Sequence, residues 1–220
     1  MRIGMIGTGK IGFSLGPLLV NSGHEVRFGS RNPELVRGTV GKFGTGASLG
    51  NIQEAAQFGD VLFTAVPWHA VSETLRAAGP LAGKTIVDCT NPLTPEMGLA
   101  VGCTTSAAEE TAKLFPEANV VKGFNTIFAA HYRSGDLGSG GQRLSMFFCG
   151  DDAAAKKKVS GIIESLGLTP VDAGPLREAR YIEPLGLLLI RLAFVQGMGV
   201  QIAWKLVNYP SSATPGTGAK

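Results

Sequence analysis

The chain opens Met1-Arg2-Ile3-Gly4-Met5-Ile6-Gly7-Thr8-Gly9-Lys10-Ile11-Gly12. Its first half is a short apolar run, as expected of a strand buried on both faces of a parallel sheet. The second half carries glycines at the G-x-G-x-x-G spacing, directly after the strand and directly before a helix predicted over about Ile11–Ser22. Each glycine has its own steric task in such a turn. Gly7 permits the tight bend, Gly9 lets backbone approach a pyrophosphate, and Gly12 lets helix and strand pack closely. The helix then turns its unsatisfied N–H groups and positive dipole end toward the phosphates. This pattern predicts an α/β fold of the Rossmann type: a doubly wound, mainly parallel sheet that binds a dinucleotide.

A second strand, Glu25–Gly29, follows at the right distance. In sites that hold a free ribose 2′-hydroxyl, an acidic residue stands near the end of this strand. Here the position reads Ser30-Arg31-Asn32. A 2′-phosphate calls for hydroxyl donors and a cation, and a guanidinium can grip it with two parallel hydrogen bonds. Thr8 adds a donor from the glycine loop. The cofactor expected is therefore NADP(H).

Composition places the chain among globular enzymes. It has 220 residues, 44% hydrophobic and 17% charged, with 31 glycines for tight turns and a net charge of only +3. Lys156-Lys157-Lys158 reads as a solvated helix face, so no nucleic-acid partner is expected. Cys89, Cys103 and Cys149 follow no metal or redox spacing, and the first and last end apolar runs as buried thiols would. A chain whose first residues are already strand leaves no room for a signal peptide, and a cytoplasmic location is expected. Pro184–Trp204 is apolar over the length of a membrane span. Arg191, Gln196 and three glycines interrupt it, so a buried helix at a domain or subunit interface is expected instead, with no membrane partner.

The remainder alternates as a doubly wound sheet should. Helices are predicted near Glu34–Lys42, Ile52–Phe58 (capped by Asn51), His69–Ala78, Ser106–Phe115 and Asp152–Leu166, and from 176 to about Val207. Strands are predicted at Asp60–Val66, Lys84–Cys89, Asn119–Phe124, Arg143–Cys149 and Leu168–Ala173. Residues 1–175 form the dinucleotide domain, 176–207 a small C-terminal helical part bearing the acceptor pocket or a dimer contact, and 208–220 a disordered tail. Ligands in such sheets bind beyond the carboxyl ends of the strands. That rule selects Ala65-Val66-Pro67-Trp68-His69, Thr90-Asn91-Pro92 and Asn125-Thr126. The expected cofactor set is thus Gly7, Thr8, Gly9, Lys10, Ile11, Gly12, Ser30, Arg31, Asn32, Ala65, Val66, Pro67, His69, Asn91 and Asn125. Trp68 either flanks the cofactor or covers the sheet edge. Glu183 and Arg191 read as a buried salt bridge at a dimer contact, or as catalytic charges.

An ordered set of motifs carries a resemblance beyond the fingerprint. Gly29-Ser30-Arg31, Ala65-Val66-Pro67, Asp88-Cys89-Thr90-Asn91-Pro92, Val121-Lys122-Gly123-Phe124-Asn125-Thr126 and Cys149-Gly150-Asp151-Asp152 succeed one another. Gly174-Pro175-Leu176, Ala179-Arg180, Glu183 and Gly197-Met198-Gly199 complete the order, the last in a final helix. The whole resembles the NADPH-dependent F420 reductase family and, more distantly, the reductase domain of the STEAP metalloreductases. The resemblance implies a homodimer transferring a hydride between NADP(H) and the deazaflavin coenzyme F420. It implies 2′-phosphate contacts from Thr8, Ser30 and Arg31, and a nicotinamide-ribose wall from Val66 and Pro67. A second ring would be bordered by Asn125-Thr126 and Met198-Gly199. His131 is expected on that acceptor side, able to hydrogen-bond the ring or modulate its charge. No catalytic acid, base or metal is implied, because hydride transfer between stacked rings asks mainly for proximity and dryness. The loop Ser134–Gly141 is expected to be flexible and to shape the acceptor pocket. A flavin, quinone or imine could replace the deazaflavin. Hydroxy-acid dehydrogenases and pyrroline-carboxylate reductases need a longer helical second domain. A non-catalytic NADP(H) sensor is the alternative from another class, told apart by whether an open, ring-sized pocket lies beside the nicotinamide.

Overall fold

The computed structural model describes residues 1–102, 104–139 and 142–208; Cys103 and most of the expected tail lie outside them. In chain order the elements are β1 (Arg2–Ile6), α1 (Lys10–Asn21), β2 (Glu25–Gly29), α2 (Pro33–Val40), β3 (Ala47–Gly50), α3 (Ile52–Phe58), β4 (Val61–Thr64) and α4 (Val71–Ala77). They continue as β5 (Thr85–Asp88), α5 (Ala107–Leu114), β6 (Asn119–Lys122), α6 (Ala129–Ser134), β7 (Gly138–Ser139), β8 (Gln142–Arg143), β9 (Ser145–Gly150), α7 (Ala153–Ser165), β10 (Thr169–Asp172) and α8 (Ala179–Phe194). Eight strands form one sheet in the order β10-β9-β6-β5-β4-β1-β2-β3. β1 to β6 are parallel, whereas β9 pairs antiparallel with β6 and carries β10 parallel beside it. The fold is a Rossmann sheet with a reversed two-strand extension.

Both faces of the sheet are covered, which is why its central strands are apolar without alternation. One face buries Ile3, Met5, Phe28, Phe63 and Val121 against Leu15 and Leu19 of α1 and Val159 and Ile162 of α7. The other buries Ile6, Leu62 and Ile86 against α3, Leu75 of α4, Ala108 of α5 and Ile182 of α8. The crossing turns are fixed by local chemistry. Asn51 caps α3 by accepting from the Glu54 N–H at 2.8 Å, while the Glu54 carboxylate accepts the Asn51 N–H at 2.8 Å. Such a reciprocal box satisfies two helix-end donors at once.

Four elements depart from the sequence expectation. β3 is an additional edge strand, parallel to β2. α6 is a six-residue helix held by Tyr132, which is 2% exposed. The loop expected to be flexible carries the β7–β8 hairpin, with Gly140 and Gly141 outside the described residues. The fourth is the C-terminal segment, where α8 stops at Phe194 rather than near Val207. Its end is closed by the Met198 and Gly199 N–H groups donating back to the Leu192 and Ala193 carbonyls at 3.1 Å each. Gly197 and Gly199 take φ of 71° and 73°, a left-handed backbone that ends the helix. The chain then returns irregularly, pinned to the start of β9 where the Ser145 N–H donates to the Trp204 carbonyl at 3.2 Å. No helix among the described residues is long and apolar enough to cross a membrane.

Candidate functional site: a dinucleotide crevice opening into an apolar chamber

β1 ends in Gly7, whose φ of 118° turns the chain sharply into α1. A side chain there would strike the Ala65 carbonyl oxygen at 2.5 Å, and one at Gly12 would collide with the Gly7 carbonyl. Gly9 differs from both, because nothing lies within 4 Å of where its Cβ would stand. The space over Gly9 is thus free for a ligand. α1 starts there with no side-chain cap and no acidic residue in its first turn, leaving its leading N–H groups to an anion.

Facing this loop, Ser30, Arg31 and Asn32 leave the end of β2. Ser30 is 8% exposed, and its Oγ accepts the Asn32 N–H at 3.2 Å, which fixes the bend. Arg31 is exposed and has no ion pair among the described residues. Loop and bend enclose a crevice of about 390 Å³, with Ala65-Val66-Pro67 as its third side. Among the described residues that line it, Arg31 is the one charged side chain, and no carboxylate takes part. That donor set suits a 2′-phosphate and lacks the acid that would hold a free 2′-hydroxyl.

Past Gly9, Ala65, Val66 and Pro67 the crevice opens into a chamber of about 590 Å³. Lys10 and Ile11 stand on one side and Trp68, Phe124 and Phe128 on another. Leu189, Ile190 and Phe194 of α8 close it, with Phe128 and Phe194 edge to face at 6.0 Å. Its polar edge is a pair of amides. The Asn91 Nδ2 donates to the Asn125 carbonyl at 3.2 Å, and the Asn125 Nδ2 donates to Asn91 Oδ1 at 3.1 Å and to the Ile182 carbonyl at 3.2 Å. Two strand ends and α8 are thereby stitched together. The ionisable groups of the wall among the described residues are Lys10, which is exposed, and Cys89, whose thiol burial pushes well above its ordinary range.

Most of the residues singled out from sequence meet here. Gly7, Thr8, Gly9, Ser30, Arg31, Asn32, Ala65, Val66 and Pro67 line the crevice; Lys10, Ile11, Asn91 and Asn125 line the chamber. Gly12 sits behind the loop as a packing contact. Four of the expected contributors stand outside both linings. His69 is exposed and lines neither space, its place being taken by Trp68. His131 is 8% exposed and its Nε2 lies 3.2 Å from the Ile202 carbonyl, holding the returning C-terminal segment. Met198 is 57% exposed and stands with Gly199 beyond the end of α8, outside the chamber lining. The Ser134–Gly141 loop contributes no described residue to the chamber.

The charges Glu183 and Arg191 also resolve differently from expectation. Arg191 is exposed, donating to the Met97 carbonyl at 3.3 Å. Glu183 is buried within this one chain and pairs with Lys122 at 3.1 Å. Lys122, fully buried, also lies 3.6 Å from Asp88 and donates to the Thr90 carbonyl at 2.6 Å. Burial pulls its ammonium toward the neutral form, but Asp88 and Glu183 outweigh that and hold its pKa above the ordinary value. Sequence reading passed over Lys122 because a lysine at a strand end is ordinarily solvated. The available signal was an unusual triple: an acid ending β5, a base ending β6 and an acid inside an apolar stretch.

A Rossmann sheet with an acid-free phosphate crevice running into a mostly apolar chamber defines a dinucleotide-dependent oxidoreductase domain. The family model described as "NADP oxidoreductase coenzyme F420-dependent" matches residues 2–92. A crystal structure from Arthrobacter sp. FB24, described as "a putative f420 dependent nadp-reductase", superposes with a TM-score of 0.83 at 32% identity, covering 94% of this chain and all of that one. The F420-dependent NADP reductase of Methanothermobacter marburgensis is 29% identical over 92% of this chain and 98% of its own. The rat metalloreductase STEAP3 is 38% identical over 94% of this chain, which spans only 41% of that longer protein. The chain belongs to the F420-dependent NADP oxidoreductase family, and its cofactor is NADP(H).

Proposed function

We propose that this chain transfers a hydride between NADPH and a flat conjugated acceptor, with the deazaflavin coenzyme F420 as the leading substrate. The observation that carries this reading is the chamber itself. It is large enough for a ring beside the nicotinamide, mostly apolar, and continuous with the crevice. Among the described residues its lining holds no His, Asp, Glu or Tyr. Reduction of an isolated carbonyl or imine generates charge on one heteroatom and calls for a placed proton donor. A conjugated ring spreads that charge over its own heteroatoms, so orientation and exclusion of water suffice. When bound, NADPH would supply the hydride, two electrons with one proton nucleus, and would leave as NADP⁺. The chain's part is to hold the 2′-phosphate with Arg31, Ser30 and Thr8 and the pyrophosphate at Gly9 and the start of α1. Val66 and Pro67 would border the nicotinamide ribose, and Phe128, Leu189 and Phe194 would keep the acceptor dry.

A flavin that passes electrons to a metal is the second reading, favoured by the 38% identity to a metalloreductase. An open chamber argues against a sensor, which could fill that space with side chains. We assign residues 1–175 to cofactor binding and 176–207 to the chamber wall and a homodimer contact, in a cytoplasmic setting. The dimer assignment rests on Tyr181, Leu185, Leu188 and Leu192 of α8 and Val195 at its C-cap, which recur at coiled-coil spacing. Tyr181, Leu188 and Val195 are 72%, 48% and 50% exposed. Anaerobic NADPH oxidation by the purified chain against F420, FMN, FAD and buffer tests the acceptor. Turnover with F420 alone supports the first reading, turnover with a flavin the second. Tight NADPH binding without turnover of any of them would overturn both.

A further inference from the structure

The walls of the chamber come from elements far apart in sequence: the loop after β5, the loop after β6 and the second half of α8. One buried side chain touches the base of all three. Lys122 is the last residue of β6, two residues before the wall residue Phe124 and in register with Asp88 at the end of β5. Its Nζ donates to the carbonyl of Thr90, whose N–H is in turn held by Asp88 Oδ1 at 2.8 Å. Thr90 and Asn91 both line the chamber. On its other side Lys122 meets Glu183 of α8, one turn before Gly186 and two before Ile190. Glu183 is itself anchored, accepting the Ala107 and Ala108 N–H groups at the start of α5 at 2.9 and 3.2 Å. A buried ion network of this kind is weak evidence for stability, because desolvation cancels most of the attraction. What it does supply is register between elements that cannot slide without uncovering a charge.

We propose that Lys122, with Asp88 and Glu183, is a positioning residue: it sets the loop after β5 against α8, and so the width and alignment of the chamber in which nicotinamide and acceptor meet. Lys122 is fully buried and lines neither crevice nor chamber, so it acts through Thr90, Asn91 and α8. The crevice that would hold the adenosine half is built from Gly7–Gly9, Ser30–Asn32 and Ala65–Pro67, none of which the network touches. The two halves of the cofactor should therefore respond differently. This inference rests on the reading that the nicotinamide end enters the chamber.

The test uses the full chain and two variants, Lys122→Met and the charge-free Asp88→Asn/Lys122→Met/Glu183→Gln, which leaves no unpaired buried charge. Binding of NADPH and of adenosine 2′,5′-bisphosphate, which fills the crevice alone, is titrated for each, alongside single-turnover hydride transfer to the acceptor that the wild type reduces. In the charge-free variant the bisphosphate constant should stay within about twofold while NADPH binding and the transfer rate each fall about tenfold or more. Equal weakening of both ligands, or no change in either ligand or rate, overturns the assignment. So does failure of the charge-free variant to fold, which would make the network a folding element. If the wild type binds NADPH no tighter than the bisphosphate, it is the seating of the nicotinamide that fails. The split between the two ligands needs no acceptor, so an error in the acceptor reading leaves this test standing.

Discussion

Gly186→Ala is the sharpest test of how the chamber is held closed. Gly186 lies inside α8, where alanine would ordinarily gain about 1 kcal/mol of helix propensity. In this position a Cβ would stand 2.7 Å from Asn91 Oδ1, 2.8 Å from Asn125 Nδ2 and 3.0 Å from the Asn125 carbonyl oxygen. The nearest approach is about 0.7 Å short of the 3.4 Å at which ordinary contact begins. Either α8 lifts by that amount or the amide pair parts, with the loss of hydrogen bonds shared among Asn91, Asn125 and Ile182. Overpacking of this kind costs roughly 1–3 kcal/mol, and an orphaned buried amide costs about the same. Net of the propensity gain, urea unfolding should show a loss of up to about 2 kcal/mol. A wall displaced by most of an ångström should slow hydride transfer on the order of 10–30-fold, at the rate of about a hundredfold per ångström of misplacement. NADPH oxidation with its acceptor and urea denaturation measure the two effects separately. A variant as stable as the wild type, with turnover within about twofold, would refute the claim that α8 rests on the amide pair.

Three further outcomes follow from the site. Arg31→Ala should weaken NADPH binding by about 1.5–3 kcal/mol, the worth of a charged hydrogen bond, and leave NADH nearly unchanged; equal losses for both cofactors in a titration would remove Arg31 from the 2′-phosphate. Gly9→Ala should unfold within about 0.5 kcal/mol of the wild type, since its φ of −90° suits alanine and no protein atom is near, yet lose dinucleotide affinity because the methyl occupies the approach to the pyrophosphate; retained affinity by calorimetry would contradict that. Hydrogen bonds from Arg180 at 2.7 and 2.9 Å hold the Glu109 carboxyl below its ordinary pKa and tie the first turn of α8 to α5. Because the folded pKa is depressed, this stabilisation is present above the unfolded value of about 4.3 and is lost as pH falls through the folded one. Thermal melts of wild type and Glu109→Gln should therefore differ at neutral pH and converge in acid, and a constant difference would contradict that sign.

The crevice assigned to the cofactor was legible in local sequence. A strand, a glycine turn and a helix start are short-range features, and Ser30-Arg31 follows from them by a fixed offset. The Asn51 capping box was legible for the same reason. β3 was not, because Ala47-Ser48-Leu49-Gly50 has neither alternation nor bulk and is a strand only through its pairing with β2. The reversed run of β9 left no mark either, since an apolar strand reads alike in both directions. Apolar residues 195–204 looked helical by composition, yet two glycines at positive φ end the helix and the remainder folds back over β9 and His131. The chamber wall was harder still. It is assembled from residues near 90, 125 and 190, and only the register of β5 against β6 reveals that Asp88 and Lys122 are neighbours.

The N–H groups at the start of α5 donate to the Glu183 carboxylate, some 75 residues downstream. In terms of modularity, the last helix is not an appendage that can be traded freely. A hybrid that grafts the end of a relative onto this sheet would carry its own residue at position 183 into contact with Lys122 and the first turn of α5. Such exchanges should succeed when positions 88, 122 and 183 travel together, which makes these three residues the practical seam for recombining members of the family.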